Sequence, residues 1–344
     1  MKALKVLEFG NGLKLQEVEI PKVKGYQVLV RVEACGICHT DLSVISGAIY
    51  KRINIKPILS LTPGHEISGI IEEAGEGVPY KRGDRVIINP WIGDGICHYC
   101  RIGEDQYCDN PRFLGISVDG GYAEYVLVPD YRYVYKLRDN SVSLIDIAPL
   151  ACSGVTTYRA IKIANPSPNS WLMIIGVGGG LGSIAIQIAK TFGANIIGID
   201  INEEGLKLAT KLGTDYVTST YDKTEILKIT DGRGVDAIID LVGSEKTMTS
   251  YYTCLAKLGK YIKVGTYGGG LPYEAGLIMH SMGWQFIGTL TGNRKDFHEV
   301  IRLAEMGKIK PVATKTVRLE EINLALENLE RNRVIGRQIL IPRG

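Results

Sequence analysis

The chain has 344 residues, 45% of them apolar and 22% charged, a composition that argues against disordered and fibrous proteins. Its 40 basic and 37 acidic residues give a net charge of +3, which offers little reason to expect nucleic acid or an anionic membrane as a partner. The length predicts two domains. Glycine is enriched, with 41 copies in clusters, which indicates tight turns and close backbone approaches.

The first 150 residues are predicted to be mostly β-structure, because short β-branched runs alternate there with Gly, Pro or Asp. No apolar periodicity of helical length is present before Cys152. The predicted strands are 28–33, 67–72, 85–88 and 122–128.

From about Trp171 the pattern changes to strands alternating with helices, which predicts an α/β domain with a parallel sheet and helices on both faces. The uncharged stretch 169–189 is long enough to span a bilayer, but its five glycines favour a strand, a glycine turn and a helix. Asn202 is predicted to cap the next helix. The other predicted elements are strands at 195–199, 235–241, 261–264, 284–290 and 338–341 and helices at 296–306 and 320–329.

The N-terminus and the cysteines indicate the cellular compartment in which the protein is expected. Glu8 precedes any apolar run, so no signal peptide is predicted and a soluble, cytoplasmic protein is expected. Seven cysteines cannot all pair in disulfides, and their close spacing favours metal ligation.

The segment from Gly176 to Gly182 has the form G-x-x-G-G-x-G and lies where a predicted strand leads into a helix. Glycines in such a turn let backbone N–H groups approach a pyrophosphate at the helix N-terminus, although a plain flexible turn is the alternative. Asp200 ends the next strand, 18 residues after Gly182, near the position of an acid that binds a ribose 2′-hydroxyl. Because neither Ile201 nor Asn202 offers a cation for a 2′-phosphate, NAD is predicted over NADP; a capping or turn aspartate is the alternative for Asp200. The predicted cofactor-binding residues of this turn are Gly176, Gly178, Gly179, Gly180, Leu181 and Gly182.

Three cysteines within 12 residues, Cys97, Cys100 and Cys108, predict a structural zinc site that lacks one ligand. Asp94 lies three residues before Cys97 and is the predicted fourth ligand, with His98 and Asp105 as competing candidates. Three unrelated free thiols are the alternative.

A second group of metal-ligand residue types is dispersed: Cys38, His65 with Glu66, and Cys152. No spacing rule connects them. Cys35 and Cys38 form a C-x-x-C motif, for which a redox pair is an alternative. Cys152, taken alone, is expected to be a small buried hydrophobic residue.

The chain resembles the zinc-dependent medium-chain alcohol dehydrogenases from Met1 to Pro342, most closely their archaeal tetrameric branch. The resemblance implies a Rossmann coenzyme domain with a doubly wound parallel sheet at 154–291. It also implies a mostly β GroES-like catalytic domain at 1–153, with a zinc lobe at about 90–112, and a segment 292–344 that returns to it. The motifs that carry the resemblance are Gly36-Ile37-Cys38-His39-Thr40-Asp41, Gly64-His65-Glu66, the Asp94/Cys97/Cys100/Cys108 lobe, Cys152, the glycine turn and Asp200.

By this resemblance Cys38, His65 and Cys152 hold a catalytic zinc, and Glu66 is an exchangeable fourth ligand or near neighbour. Asp41 is expected to hydrogen-bond the zinc-bound His65. The lobe is expected to hold a second, structural zinc. The family usually has four cysteines there, so Asp94 is a departure.

Other site residues are also implied by the resemblance. Thr40 is expected to begin a proton relay, with a backbone-bonded loop hydroxyl as the alternative. Many relatives have a histidine where this chain has Ser43, so His39 or water would complete the relay. The remaining implied roles are Thr156 beside the nicotinamide, His39 and Arg337 at the pyrophosphate, and Trp91 and Phe113 along the substrate channel. The alternative for Arg337 is a solvated surface arginine, and the alternative for Trp91 and Phe113 is packing in the core.

The predicted function is NAD-dependent, zinc-assisted oxidation of primary or secondary alcohols to aldehydes or ketones, and the reverse, in a homotetramer. The same machinery acting on a polyol, amino-alcohol or sugar is an alternative, and residues 42–62 are expected to shape that choice. A non-catalytic, zinc-stabilised NAD-binding sensor is a third hypothesis. Cys38, His65, Glu66, Thr40 and Cys152 together argue against the sensor, because NAD binding alone needs none of them.

Overall fold

The computed structural model describes residues 1–219, 222–268 and 270–343. The chain forms two compact units. The first contains Met1–Cys152, Asn293–Gly307 and the chain from Pro311 onward, and the second contains Ser153–Gly292 and Lys308–Lys310.

Within the described residues the helices are short and most strands have three to six residues. The strands are β1 Lys2–Lys5, β2 Lys14–Glu17, β3 Val28–Gly36, β4 Glu66–Ala74, β5 Arg85–Ile88, β6 Tyr125–Val128, β7 Val134–Lys136, β8 Trp171–Ile175, β9 Asn195–Ile199, β10 Tyr216–Thr218, β11 Val235–Asp240, β12 Leu255–Lys263, β13 Gln285–Gly288, β14 Ala313–Val317 and β15 Arg337–Leu340. The helices are α1 His39–Ile45, α2 Ala48–Arg52, α3 His98–Arg101, α4 Leu144–Ile147, α5 Ser153–Ala164, α6 Gly180–Thr191, α7 Glu203–Lys211, α8 Lys223–Ile229, α9 Glu245–Tyr251, α10 Tyr273–Met282, α11 Arg294–Glu305 and α12 Ile322–Glu330.

The second unit is built on a parallel sheet in the order β10-β9-β8-β11-β12-β13. This confirms the predicted parallel sheet. Its strand order reverses between β8 and β11, and doubly wound sheets bind ligands at the carboxyl ends of the strands flanking such a point. The glycine turn follows β8 directly, so it lies at this edge of the sheet.

The first unit is built on a mixed sheet in the order β14-β15-β3-β4-β5-β7, with β6 paired to β3. All pairings are antiparallel except the one between β14 and β15. β3 and β4 have nine residues each, and most of their positions are buried. The C-terminal elements belong to this unit, because β15 pairs with β3 and α12 contributes Ile322, Leu326 and Leu329 to its core.

The short helices of the first unit were not predicted. α1, α2 and α3 have seven, five and four residues, too few to show a helical period. α1 begins just after Cys38, where the Asp41 carboxylate accepts a hydrogen bond from the Cys38 N–H at 2.8 Å. This hydrogen bond satisfies the Cys38 N–H, one of the donors at the helix start that have no partner within the helix.

The uncharged stretch around residues 169–189 forms β8, the glycine turn and α6, as predicted. Asn202 caps α7 by accepting hydrogen bonds from the N–H groups of Glu204 and Gly205. Among the helices in the described part of the chain, none has both the length and the apolarity needed to cross a membrane.

We expect Gly182→Ala to lower the free energy of unfolding by about 1–3 kcal/mol. A Cβ at Gly182 would lie 2.2 Å from the Gly176 carbonyl oxygen and 2.4 Å from the Val177 Cα, and these backbone atoms cannot yield. Gly179→Ala is the matched control, because its Cβ would meet only the Gly176 oxygen at 3.8 Å and its φ is −83°. The free energy of unfolding of each variant is measured by denaturant unfolding without coenzyme. Equal free energies for Gly182→Ala and Gly179→Ala would contradict the packing argument.

Candidate functional site

Three separate segments of the first unit bring four metal-ligand side chains together. The antiparallel register of β3 and β4 places Gly36 opposite Glu66, which sets Cys38 beside His65. Cys152 follows a 3₁₀ turn, residues 148–151, that packs against both strands. One ligand atom from each of Cys38, His65, Glu66 and Cys152 lies within 4.8 Å of the others, and all four residues are buried. We call these four residues the catalytic cluster.

The His65 ring is oriented by a carboxylate. Its Nδ1 lies 3.1 Å from Asp41 Oδ1, and both side chains are fully buried. Burial lowers the pKa of His65, but the Asp41 carboxylate and Cys38 outweigh burial and raise that pKa overall. Nε2 is buried and has no hydrogen-bond partner. With Nδ1–H directed at Asp41, the Nε2 lone pair is available to a metal ion.

The two thiols of the catalytic cluster change each other's pKa in opposite directions. A hydrogen bond with Cys152 is the main cause of the lowered pKa of Cys38, with Arg337 and His65 also favouring the thiolate against burial. The same hydrogen bond, with burial, raises the pKa of Cys152. A divalent cation between the two sulfurs is what would favour ionisation of both.

Glu66 is a buried carboxylate with a charged neighbour. Arg337 Nη2 lies 2.9 Å from Glu66 Oε1, and Arg337 Nη1 donates a hydrogen bond to the Ile37 carbonyl at 3.0 Å. Neither carboxylate oxygen of Glu66 has a partner with hydrogen-bond geometry. Burial raises the pKa of Glu66 to about 8, although Arg337 acts in the opposite direction. Gly36 leaves the room for this carboxylate, because a Cβ there would lie 1.8 Å from Glu66 Oε2.

Two buried aromatic rings border the catalytic cluster. Trp91 has its ring centroid 5.7 Å from that of His65, and Phe113 packs edge-on against Trp91 at 5.3 Å. The family resemblance implied substrate-channel roles for both; Trp91 lies beside the His65 imidazole, and Phe113 contacts Trp91.

A second cluster lies in the lobe between β5 and β6. Ligand atoms of Asp94, Cys97, Cys100 and Cys108 all lie within 4.8 Å of one another. Backbone N–H groups of Asp94 and Asn110 donate to Cys108 Sγ, and that of Cys100 donates to Cys97 Sγ. We call these four residues the cysteine lobe.

Asp94 occupies the place that the spacing assigns to a fourth ligand. Its Oδ1 accepts hydrogen bonds from the N–H groups of Cys97 at 3.0 Å and Ile96 at 2.9 Å, which hold the pKa of this carboxyl well below its usual range. The competing candidates lie elsewhere. His98 is exposed and packs against Tyr99, while Asp105 accepts hydrogen bonds from Tyr133 and Arg294.

Both clusters fit zinc by the chemistry of their donors. Two thiols with an imidazole and an exchangeable oxygen ligand are typical of catalytic zinc, and closed cysteine-rich sets are typical of structural zinc. Cys35, the alternative redox partner of Cys38, is outside the catalytic cluster, and its thiol lies 3.8 Å from the Gly36 carbonyl oxygen. All seven cysteines are free.

Comparisons with known proteins agree with this chemistry. Family models for an alcohol dehydrogenase GroES-like domain and a zinc-binding dehydrogenase match residues 24–139 and 180–306. An NAD-dependent alcohol dehydrogenase from Sulfolobus acidocaldarius is 65% identical over 343 residues, which is 99% of each chain. The chain belongs to the zinc-dependent medium-chain alcohol dehydrogenase family.

Two further relatives support membership of this dehydrogenase family. An NAD-dependent alcohol dehydrogenase from Saccharolobus solfataricus is 51% identical, covering 99% of this chain and 100% of its own. The crystal structure of the alcohol dehydrogenase from Aeropyrum pernix has a TM-score of 0.91 and 39% identity, covering 99% of this chain and 100% of that one. The GroES-like and dehydrogenase domains inferred from sequence resemblance are thereby confirmed.

The glycine turn that is predicted to bind the coenzyme lies in the second unit. Gly176, with φ at +88°, donates its N–H to the Ile199 carbonyl and so ties the turn to the neighbouring strand. A Cβ at Gly178 would lie 2.5 Å from the Gly205 Cα, so glycine is required there. No side chain caps the N-terminus of α6, which leaves its first N–H groups for an anion such as a pyrophosphate.

Asp200 and Thr156 also belong to the second unit. Asp200 Oδ2 accepts the Gly178 N–H at 2.7 Å, and Oδ1 accepts the Asn202 N–H at 2.9 Å. These contacts place the Asp200 carboxylate beside the glycine turn. Thr156 is buried in α5.

The remaining predicted residues lie in the first unit. His39 and Thr40 form the first turn of α1 next to Cys38, and both are half-buried. Arg337 is 4% exposed, so the solvated-arginine interpretation is wrong. Sequence reasoning included Gly36 in a motif without giving it a role, and it missed Tyr122, whose hydroxyl donates to Asp41. No spacing signal marks either residue, because both act through contacts that are distant along the chain.

We expect Asp94→Ala to speed the loss of zinc from the cysteine lobe to a chelator by about tenfold or more, because three ligands remain of four. Asp94→Cys should slow that loss, since a thiolate replaces the carboxylate. Asp109→Ala is the matched control, as it removes an exposed carboxylate of the same loop that is not in the cluster. Zinc release is followed with a metallochromic dye, and wild-type rates for Asp94→Ala would assign the fourth ligand elsewhere.

Proposed function

We propose that this protein oxidises primary and secondary alcohols to aldehydes and ketones with NAD as hydride acceptor, and catalyses the reverse reaction. The observation that carries the proposal is the convergence of Cys38, His65, Glu66 and Cys152, from three chain segments, in one buried cluster with a free imidazole nitrogen. Family membership and the 65% identical NAD-dependent alcohol dehydrogenase support it. A sensor that only binds NAD has no use for such a cluster.

Cys38, His65 and Cys152 are the proposed ligands of a catalytic zinc, with Glu66 as an exchangeable fourth. A zinc ion held there would lower the pKa of an alcohol hydroxyl or polarise a carbonyl, and NAD would be the hydride acceptor. The chain's own contribution is electrostatic. Two thiolates neutralise the charge of a divalent cation, and Asp41 fixes the imidazole of His65. Arg337 compensates Glu66 when that carboxylate is not a ligand.

Thr40 is the proposed first member of the proton relay. It lies two residues after Cys38 on the first turn of α1, where a hydroxyl is able to accept a proton and pass on its own. Ser43 occupies the place where many relatives have histidine, so His39 or water completes the path outward. Burial lowers the pKa of His39, which favours the neutral form of this imidazole.

The surroundings of His65 favour apolar alcohols over sugars. Trp91 and Phe113 present aromatic rings there, and both are almost fully buried. A polyol would leave hydroxyl groups without partners against these rings, at a free-energy cost for each group. Residues 42–62 are the proposed determinants of substrate shape.

We further propose a homotetramer in the cytoplasm. In the described residues β13 pairs only with β12, so one edge of the parallel sheet is open. Nearby apolar side chains are exposed, among them Leu258, Tyr273 and Leu277, and α10 has little apolar cover. Open edges and exposed apolar groups are features that association buries. Seven free cysteines suit a reducing compartment.

We expect Cys38→Ser to reduce alcohol oxidation by about 1000-fold or more, because the loss of catalytic zinc removes several kcal/mol of transition-state stabilisation. NAD binding should remain nearly unchanged. Zinc analysis, NADH formation across a panel of alcohols and coenzyme titration measure the three quantities. Cys254→Ser changes a buried thiol of the second unit and is the control expected to keep two zinc ions per chain. Unchanged turnover in Cys38→Ser would refute the assignment.

We expect Asp200→Ser to lower the ratio of kcat/KM for NAD to that for NADP by about tenfold or more. Removing the carboxylate ends its repulsion of a 2′-phosphate, an effect of roughly 1–4 kcal/mol for charges about 4 Å apart. Asp215→Ser is the control, since Asp215 accepts a backbone N–H from Ile196 in the same sheet. A ratio that stays at the wild-type value in Asp200→Ser would argue against the ribose role.

A further inference from the structure

Asp41 is a fully buried carboxylate that receives three hydrogen bonds. Its Oδ1 faces His65 Nδ1 at 3.1 Å. Its Oδ2 accepts the Cys38 N–H at 2.8 Å and the Tyr122 hydroxyl at 2.7 Å. A buried carboxylate is stable only when donors replace its lost hydration, so each of these three groups is important. The Tyr122 hydroxyl is the only one of the three that belongs neither to a proposed ligand residue nor to its backbone.

Tyr122 is held in place by backbone pairing with the segment that leads to His65. Gly120, Gly121 and Tyr122 donate their N–H groups to the carbonyls of Thr62, Gly64 and Pro63 respectively, at 2.8, 2.8 and 3.0 Å. Because Gly64 immediately precedes His65, any displacement of Tyr122 is transmitted to the ligand.

The ring of Tyr122 also packs on that segment. A Cβ at Gly64 would lie 2.4 Å from Tyr122 Cδ1, so the absence of a side chain at Gly64 is what lets the ring approach. Tyr122 is fully buried. Burial and the neighbouring Asp41 raise the pKa of Tyr122, so its hydroxyl keeps its proton and acts as a donor. The ring therefore fixes where the hydroxyl points.

We infer that Tyr122 is a positioning residue for the catalytic zinc: its hydroxyl fixes the Asp41 carboxylate, which in turn orients the His65 ring. The inference rests on the proposed function, because it requires a metal ion in the catalytic cluster. With Oδ2 held by Tyr122 and the Cys38 N–H, Oδ1 is directed at His65 Nδ1, and this selects the tautomer whose Nε2 binds metal. Without the hydroxyl, the carboxylate loses one of its three hydrogen bonds and gains rotational freedom.

The test is Tyr122→Phe, which removes one oxygen and keeps the ring packed on Gly64, so the variant should fold. We expect its catalytic zinc to be released to a chelator about tenfold or more faster than in the wild-type protein, within the range seen when such supporting hydrogen bonds are removed. The zinc of the cysteine lobe is an internal reference and should be released at the wild-type rate. Loss of both zinc ions at the same increased rate would indicate general loosening and would overturn the inference.

Tyr261→Phe is the matched control. Tyr261 is also fully buried and donates its hydroxyl to a buried aspartate, Asp240 Oδ2, at 2.7 Å, but it lies in the second unit. This variant should leave the release of both zinc ions unchanged. Melting temperatures of the two variants show whether their effects on stability are similar.

A double-mutant cycle with Asp41→Asn separates positioning from simple packing. If Tyr122 acts through Asp41, Tyr122→Phe should have little further effect on zinc release in the Asp41→Asn background. A full additional effect there, or no effect of Tyr122→Phe alone, would overturn the inference and leave the proposed function intact. Wild-type protein that takes up zinc only in the cysteine lobe would overturn both.

Discussion

The register between β3 and β4 is the constraint on which the catalytic cluster depends. It sets Gly36 against Glu66, and this pairing decides where Cys38 lies relative to His65. Side chains alternate across a strand, so a shift of one residue would turn His65 and Glu66 to the opposite face of the sheet. The lack of a side chain at Gly36 makes the observed register possible, since any Cβ would overlap the Glu66 carboxylate.

Charge is the second constraint on the catalytic cluster. Two thiols, a carboxylate and Asp41 lie in one buried region, and they repel one another when ionised. Burial raises the pKa of Glu66, and the hydrogen bond with Cys38 together with burial raises the pKa of Cys152; repulsion from the neighbouring anions adds to both shifts. Arg337 relieves part of it from β15. A divalent cation would relieve most of the rest, so metal binding and the stability of the first unit are coupled through the same side chains.

The sequence predicted best what is local along the chain. The parallel sheet follows from strands and helices that alternate over 10–20 residues, and the cysteine lobe follows from the spacing of three thiols and Asp94. The catalytic cluster is different, because Cys38, His65 and Cys152 are joined only by sheet pairing and a 3₁₀ turn. The prediction that these residues form one cluster came from the family resemblance alone, because no rule of sequence spacing connects them.

Other features were beyond sequence reasoning for related physical reasons. α1 and α2 are shorter than two helical turns, so they carry no apolar period. Tyr122 reaches Asp41 across 81 residues of chain, and its role depends on backbone pairing that a sequence pattern does not encode. The alternative interpretation of Arg337 was a solvated arginine near the C-terminus. Pairing of β15 with β3 buries this side chain instead.

The return of the C-terminal segment to the first unit sets an order for biosynthesis. β15 supplies one neighbour of β3 and carries Arg337, but it is synthesised only after residues 153–292. Residues 153–292 form one continuous stretch, which contains all but three residues of the second unit. The second unit is therefore able to fold while translation of the later residues continues. The first unit has to wait for β15, the partner of β3 at Cys35 and Gly36, until the whole of residues 153–292 has been synthesised. Chaperone protection of that exposed strand edge is most valuable in this interval.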